Sequence, residues 1–355
     1  MPMAGDMAGD AETHVLVERR GTAGCLTLNR PQALNALDLG MVRRLRAALD
    51  AWLADPGVTR IVLRGAGRAF CAGGDIRHLH DEARARGPRA PDAFWREEYA
   101  LNALIHRYPK PIVSLIDGIV MGGGVGLSLH GAHRVAGERY LFAMPEVGIG
   151  FFPDVGATYA LPRLPGAFGT YLALTGDRVG PGDGLAFGLA TRAAPAPAFE
   201  AITERLAAGE PVEAALGESE APPPGPLHAA REVIDSCFSA ESVAAVLARL
   251  DAAAREGSGF AGKAAATIRT RSPTSVAVAF AQMRRGIAMS FPEAMLTEYR
   301  IVTRILEGHD FYEGVRATLI DKDGAPRWRP ERLEAVTAEA VEAHFAPLPD
   351  EPRFA

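Results

Sequence analysis

Between Arg60 and about residue 195, short apolar runs, Gly-rich loops and helical stretches follow one another in turn. That rhythm confines the chain to the α/β class, in which strands assemble into sheet and helices pack against it. Arg60 to Arg64 (RIVLR) and Ile112 to Ile116 (IVSLI) read as short buried strands. A Gly-rich loop, Gly65 to Gly74, follows the first, and MGGGVGLSLH, small residues opening into a helix, follows the second. Leu39 to Leu53 carries apolar residues at helical spacing and stops before Asp55-Pro56-Gly57. Ala93 to Tyr108 is helical and is ended by Pro109 and Pro111. His14 to Asn29 reads as a hairpin around Gly21 and Gly24.

After about residue 195 the character changes. Ala-rich helical stretches dominate, and GESEAPPPGP at 217–226 predicts a linker or exposed loop. Ser272-Pro273 and Phe291-Pro292 each mark the start of a helix, because Pro suits the first turn. The expected organisation is a disordered tail at 1–12, a core at 13–195 and a mainly helical region at 196–355.

Composition narrows the function. A net charge of -5 argues against a nucleic-acid binder but leaves room for an anionic ligand held by local Arg and Lys. The three cysteines, Cys25, Cys71 and Cys237, form no disulfide framework. No CxxC or HExxH spacing occurs, so no metal is expected. No apolar run approaches the roughly 20 residues of a membrane span. Met1 to Glu12 lacks the features of a signal or transit peptide, and the PRFA ending is not a peroxisomal address. A cytoplasmic protein is expected.

Three stretches carry chemistry. Arg68 to Ile76 (RAFCAGGDI) follows a strand, and its paired glycines let backbone approach a ligand; an ordinary strand-to-helix turn is the plain alternative. Asp117 to Gly126 again follows a strand and opens a helix, whose free N–H groups suit developing negative charge. A nucleotide phosphate loop is poorly supported, since neither GxxxxGK[ST] nor a full GxGxxG is present. Tight packing of the helix on the sheet also accounts for such glycines. Phe142 to Gly156 sets two carboxylates, Glu146 and Asp154, in an apolar stretch, where an unpaired buried charge is costly. Two Gly-rich loops and a carboxylate pair suffice for acyl transfer. Two N–H groups hold a thioester oxygen, each worth ~2.7–4 kcal/mol in the transition state, and a carboxylate acts as base or nucleophile.

LNRPQALNAL, AFCAGGDIR, DGIVMGGGVGLSLHG and FAMPEVGIGFFPDVGATYALPRL together resemble the motifs of the crotonase (enoyl-CoA hydratase/isomerase) superfamily, in order and spacing, over about residues 13–195. The later SPTSVAVAFAQMRRG, TEYRIVTRILEGHDFYEGVRATLIDKDGAPRWRP and HFAPL resemble the C-terminal part of its 3-hydroxyisobutyryl-CoA hydrolase branch. The resemblance implies an α/β (α+β) fold: a spiral of ββα turns forming two roughly perpendicular sheets, with a C-terminal helical region. It implies an oxyanion hole at the backbone N–H groups of Gly74 and Gly123, and Glu146 and Asp154 as the catalytic acids. Glu98 would contact substrate, and Arg77 falls where relatives place a basic residue near the CoA phosphates. The implied substrate is a short branched 3-hydroxyacyl-CoA, with water as co-substrate. CoA is then part of the substrate, and neither a metal nor a separate cofactor is called for. A homo-oligomer is open, since relatives often form trimers.

Hydratases of the superfamily place a second Glu three residues after the middle Gly, where this chain has Gly126. Hydration in the usual two-Glu manner is then not available, and Asp154 in FPDVG, where ordinary hydratases tend to carry Gly, points the resemblance to thioester hydrolysis. The alternatives are an isomerase or atypical hydratase, and a non-catalytic CoA-ester-binding protein. Cys71 is expected to be a packing residue, His78 and His80 exposed helix-start residues, His130 a satisfied core histidine and Lys322-Asp323 a turn.

Overall fold

The computed structural model describes residues 13–219 and 221–354, so the tail expected at 1–12 lies outside the described residues. Two compact units are each assembled from separate stretches of chain. One comprises Met1–Asp75, Ala100–Phe142 and Val179–Gly225; the other comprises Ile76–Tyr99, Ala143–Arg178 and Pro226–Ala355.

In the first unit, β1 (Val15–Arg20) and β2 (Ala23–Leu28) form the expected hairpin, with Arg20 opposite Ala23. Further along the chain come β3 (Arg60–Gly65), β4 (Ala69–Cys71), β5 (Ile112–Ile116), β6 (Ile119–Met121), β7 (His133–Ala136), β8 (Leu141–Ala143) and β9 (Arg192–Ala193). They sort into a six-stranded sheet, β1-β2-β3-β5-β7-β9, and a three-stranded sheet, β4-β6-β8. Each consecutive pair, β3β4, β5β6 and β7β8, thus sends its first strand to the large sheet and its second to the small one. That repeat is the ββα spiral. From β2 to β9 the large sheet is parallel, and parallel sheets are covered on both faces. Cys25, Val62, Val113 and Leu115 pack on one face with Phe199, Ile202 and Leu206 of helix Phe199–Ala207. Their alternates Leu26, Ile61, Leu63 and Ile112 gather with Leu45, Leu49, Leu101, Ile105 and Leu127.

The boundary expected near residue 195 therefore needs correction. Helix Phe199–Ala207 covers the parallel sheet, whereas 143–178 belongs with the C-terminal helices. Local rhythm reports elements; it does not report which distant apolar face each element buries.

The helices begin where side chains can satisfy their open N–H groups. Asp38 accepts from Met41 N–H at 2.8 Å and caps helix Leu39–Ala54. In the second unit Ser272 caps helix Pro273–Gly286. Helix Phe291–Ile305 opens with a capping box, in which Glu293 accepts from the backbone N–H of Ser290 at 2.8 Å. Helix Pro273–Gly286 is buried on nearly every side, including Gln282. Helix Phe291–Ile305 buries Glu298 among Tyr299, Ile301 and Val302. Trp95, Phe151, Phe152 and Phe311 form a run of ring contacts, with centroids 4.9–6.3 Å apart. No helix among the described residues is long and apolar enough to cross a membrane.

Asn35, wholly buried, ties the first motif to the first Gly-rich loop. Its Oδ1 accepts from Arg30 N–H at 2.8 Å, and its Nδ2 donates to Ala66 O, Ala69 O and Phe70 O at 2.9, 2.9 and 3.2 Å. It sits at φ +57, a left-handed conformation that Asn tolerates better than most residues. Asn35→Leu keeps the volume and strands these partners. Urea unfolding should show a loss of about 2–4 kcal/mol; a loss below about 0.5 kcal/mol would show that water satisfies them instead.

Candidate active site

In the first unit the two Gly-rich loops meet backbone to backbone. Leu37 bridges Gly74 as in a parallel ladder: Leu37 N–H donates to Gly73 O and Asp75 N–H donates to Leu37 O, both at 2.8 Å. That pairing turns the N–H of Gly74 itself to the opposite side of the strand. Arg30 secures the loop by an ion pair with Asp75 at 2.8 Å. Gly123 opens helix Gly123–Ser128, and the first N–H groups of a helix have no partner within it. Side chains are excluded here. A Cβ on Gly124 would stand 2.5 Å from Cys71 O, and Gly73 sits at φ +112, which an L side chain rarely adopts. Gly122 precedes the helix at φ +46 and ψ -123, which an L side chain disfavours. The residues expected to hold an oxyanion are therefore two backbone amides on adjoining loops.

The second unit holds the carboxyl groups. Glu98 and Tyr99 come from helix Asp92–His106, Glu146 from the turn after Met144-Pro145, Asp154 from the following loop, and Glu298 from helix Phe291–Ile305. Glu98, Glu146, Asp154 and Glu298 are 2, 7, 5 and 0% exposed, so water does little to stabilise their charges. Tyr99 Oη donates to Asp154 Oδ2 at 2.8 Å. Glu298 Oε2 accepts from Gly156 N–H at 2.8 Å and Oε1 from Thr158 N–H at 2.9 Å. By contrast Glu98 Oε1 and Glu146 Oε2 are buried with no hydrogen-bond partner among the described residues.

Burial is the first cause of an upward pKa shift in all four groups. It lifts Asp154 to about 7, with the Tyr99 hydroxyl pulling the other way. It lifts Glu298 to about 8, with the Asp154 charge adding to the rise and hydrogen bonds from Gly156 and Thr158 opposing it. Glu98 and Glu146 are pushed well above the ordinary carboxylate range by burial and then by Asp154. These groups share protons: an ionised Asp154 makes each of the others harder to ionise. A carboxylate raised in this way is a stronger base once its proton has left.

An enoyl-CoA hydratase/isomerase family model matches residues 23–345. The chain belongs to that family. A Xenopus tropicalis protein named mitochondrial 3-hydroxyisobutyryl-CoA hydrolase is 46% identical over 345 residues, 94% of this chain and 89% of that one. Two solved structures of the family are also similar. One, described as a carnitinyl-CoA dehydratase from Mycobacterium thermoresistibile, is 44% identical with a TM-score of 0.90, covering 96% of this chain and 98% of its own. The other, described as an enoyl-CoA hydratase from Rhodobacter sphaeroides, is 42% identical with a TM-score of 0.88, covering 94% and 98%.

Two expectations change. The cytoplasmic location is overturned by the Xenopus relative, whose name is mitochondrial. It rested on the composition of Met1 to Glu12, and the short reach of that signal is the reason it failed. His80 is not an exposed helix-start residue: it is buried, bonds Asp81 at 2.8 Å and lies by the rings of Phe311 and Tyr312. His78 is exposed as expected, and His130 is half-buried against His106. Cys71 is fully buried, with its Sγ 3.5 Å from Gly73 N. Arg77 stands exposed in the first turn of helix Ile76–Arg86, outside the carboxyl group cluster. Sequence reading missed Tyr99 and Glu298. Tyr99 directly follows Glu98, and Glu298 lies in the TEYR stretch, but nothing local marked either as buried beside Asp154.

The raised carboxyls set a sign for stability. Unfolded, they titrate near 4; folded, Asp154 and Glu298 keep their protons to about 7 and about 8. The native state then binds protons that the unfolded chain has released, so stability falls as pH rises through that interval. Between pH 6.5 and 8.5 the urea midpoint should decline, and Asp154→Asn should flatten the decline. A wild-type midpoint that stays level across the interval would mean that these groups are already ionised in the folded protein.

Proposed function

We propose that this protein hydrolyses the thioester of a short branched 3-hydroxyacyl-CoA, foremost 3-hydroxyisobutyryl-CoA, yielding the hydroxy acid and free CoA, a step of valine breakdown. The observation that carries the reading is the pair of buried, unpartnered carboxyl oxygens, Glu98 Oε1 and Glu146 Oε2, in the unit that also buries Asp154. An open acceptor in a dry setting suits a substrate hydroxyl or a water. The Xenopus relative is named for this hydrolase activity.

In this reading the N–H groups of Gly74 and Gly123 take up the charge that grows on the thioester oxygen. Glu146, once deprotonated, either draws a proton from the attacking water or attacks the carbonyl carbon itself. In the second route a mixed anhydride forms, CoA leaves as the thiolate, and water then cleaves the anhydride. Both routes need Glu146 ionised, and burial holds its pKa well above the ordinary range, so turnover should rise with pH. Asp154 and Glu98 orient the 3-hydroxyl or the water. The reaction so written needs no metal and no cofactor beyond the CoA of the substrate. Arg77, exposed at the start of its helix, is the residue proposed to meet the CoA phosphates.

The solved relatives described as a dehydratase and a hydratase make hydration of a double bond the second reading. Against it stands Gly126, buried in helix Gly123–Ser128 and without a side chain where a second water-holding Glu would be required.

Free-thiol release from 3-hydroxyisobutyryl-CoA should be rapid, and hydration of crotonyl-CoA should be absent or slow. Efficient crotonyl-CoA hydration without thiol release would overturn the proposal. Glu146→Gln should retain CoA-ester binding and lose more than about 90% of turnover, beyond ~1.4 kcal/mol of barrier. Asp154→Asn should slow the 3-hydroxyacyl substrate most; a smaller effect on isobutyryl-CoA would assign Asp154 to the hydroxyl, and an equal effect would assign it to the water.

A further inference from the structure

Asp154 is followed by two residues in left-handed backbone, Val155 at φ +54 and Gly156 at φ +90. Glycine accepts this readily, but a β-branched residue does so only where its surroundings compel it. The compulsion here comes from two C-terminal helices. From helix Phe291–Ile305, Glu298 accepts the N–H of Gly156 on one oxygen and the N–H of Thr158 on the other, at 2.8 and 2.9 Å. From helix Pro273–Gly286, Gln282 Nε2 donates to Pro153 O and to Thr158 Oγ1, both at 2.6 Å. Gln282, Thr158 and Glu298 are all wholly buried. The turn is thus gripped on the residue before Asp154 and on the residues after it.

We propose that Glu298 and Gln282 are positioning residues for Asp154, fixing the strained turn Pro153–Thr158 so that the Asp154 carboxyl is aimed and held against Tyr99. Glu298 is not itself a candidate base, because both its oxygens are engaged by backbone N–H groups, unlike those of Glu98 and Glu146. A glutamate carboxyl group offers two acceptor oxygens at this spacing. Gln would turn an NH2 group toward one of the two N–H groups, and Asp would fall a methylene short. Gln282 supplies the converse chemistry, two donors for a carbonyl and a hydroxyl. The helical region is on this view part of the catalytic apparatus. The inference rests on Asp154 serving the hydrolysis proposed above.

The test is a double-mutant cycle on thiol release from 3-hydroxyisobutyryl-CoA, with Glu298→Gln, Asp154→Asn and the double variant, and melting temperatures as folding controls. Glu298→Gln alone should lower kcat at least about tenfold with KM changed less than about twofold, and in the Asp154→Asn background it should cost less than about twofold more. A residue that merely stabilises the fold would slow both backgrounds by the same factor. That outcome, or wild-type kcat in Glu298→Gln beside a slow Asp154→Asn, would overturn the positioning role and leave the hydrolase reading standing. Wild-type turnover in Asp154→Asn would instead remove Asp154 from the reaction and this role with it. If Glu298→Gln does not fold, Gln282→Met removes the opposite grip while leaving both backbone N–H groups bound, and the same non-additivity is required of it.

Discussion

Four carboxyl groups buried in one unit, acting chiefly on one another, are the constraint around which the second unit is organised. Isolated carboxylates so placed would be expensive, and a buried group ordinarily neutralises instead. The fold meets this cost in two ways. Glu298 is given two backbone N–H donors and Asp154 a tyrosine hydroxyl, which oppose the rise that burial causes without cancelling it. Glu98 and Glu146 are each left with an oxygen unserved. An unserved buried oxygen lowers stability, and such features persist where something other than stability is selected, the usual state of affairs at reacting groups.

The first unit solves a different problem, that of presenting backbone rather than side chains. Asn35 binds three carbonyls of the first loop's approach, Leu37 bridges Gly74, and the glycines at 122–124 let the second loop come within contact of the first. An N–H donor held this way needs no reorganisation when charge develops nearby, which is the source of its catalytic worth. The parallel sheet, buried on both faces, supplies the rigid base on which both loops stand.

Legibility in the sequence followed the range of the interaction. The hairpin, the strands at Arg60 and Ile112, and the helices at Leu39 and Pro273 were legible because period, caps and breakers act over a few residues. That Glu146 and Asp154 are buried was legible because two acids in an apolar stretch are unusual, and the meeting of the loops at Gly74 and Gly123 was legible because their motifs are local. The division into units was not, since 143–178 finds its partners beyond residue 226. Nor was Glu298, whose importance rests on two N–H groups some 140 residues earlier in the chain. His80 misled for the same reason: alternation with Leu79 said nothing of Phe311 and Tyr312. A single residue in a helix shows its neighbours four positions away, and buried polar pairings are mostly made elsewhere.

Relatives of almost equal identity carry names of three different reactions, a hydrolase, a dehydratase and a hydratase. Overall similarity therefore cannot be what separates them, and the decision must lie in a few side chains on a shared frame. All three chemistries benefit from a stabilised oxyanion, so the N–H groups proposed for that role, Gly74 and Gly123, do not discriminate. What differs is where water is activated. Adding water across a double bond asks for acidic groups at the acyl chain, and a side chain at 126 is one place to put them; Gly126 offers none. Cleaving a thioester asks for a base or nucleophile at the carbonyl and a grip on the rest of the acyl group. On the proposed reading Glu146, with its open oxygen, meets the first need. On the same reading Asp154, held by Tyr99 and by a turn that Glu298 and Gln282 grip in a left-handed step, meets the second.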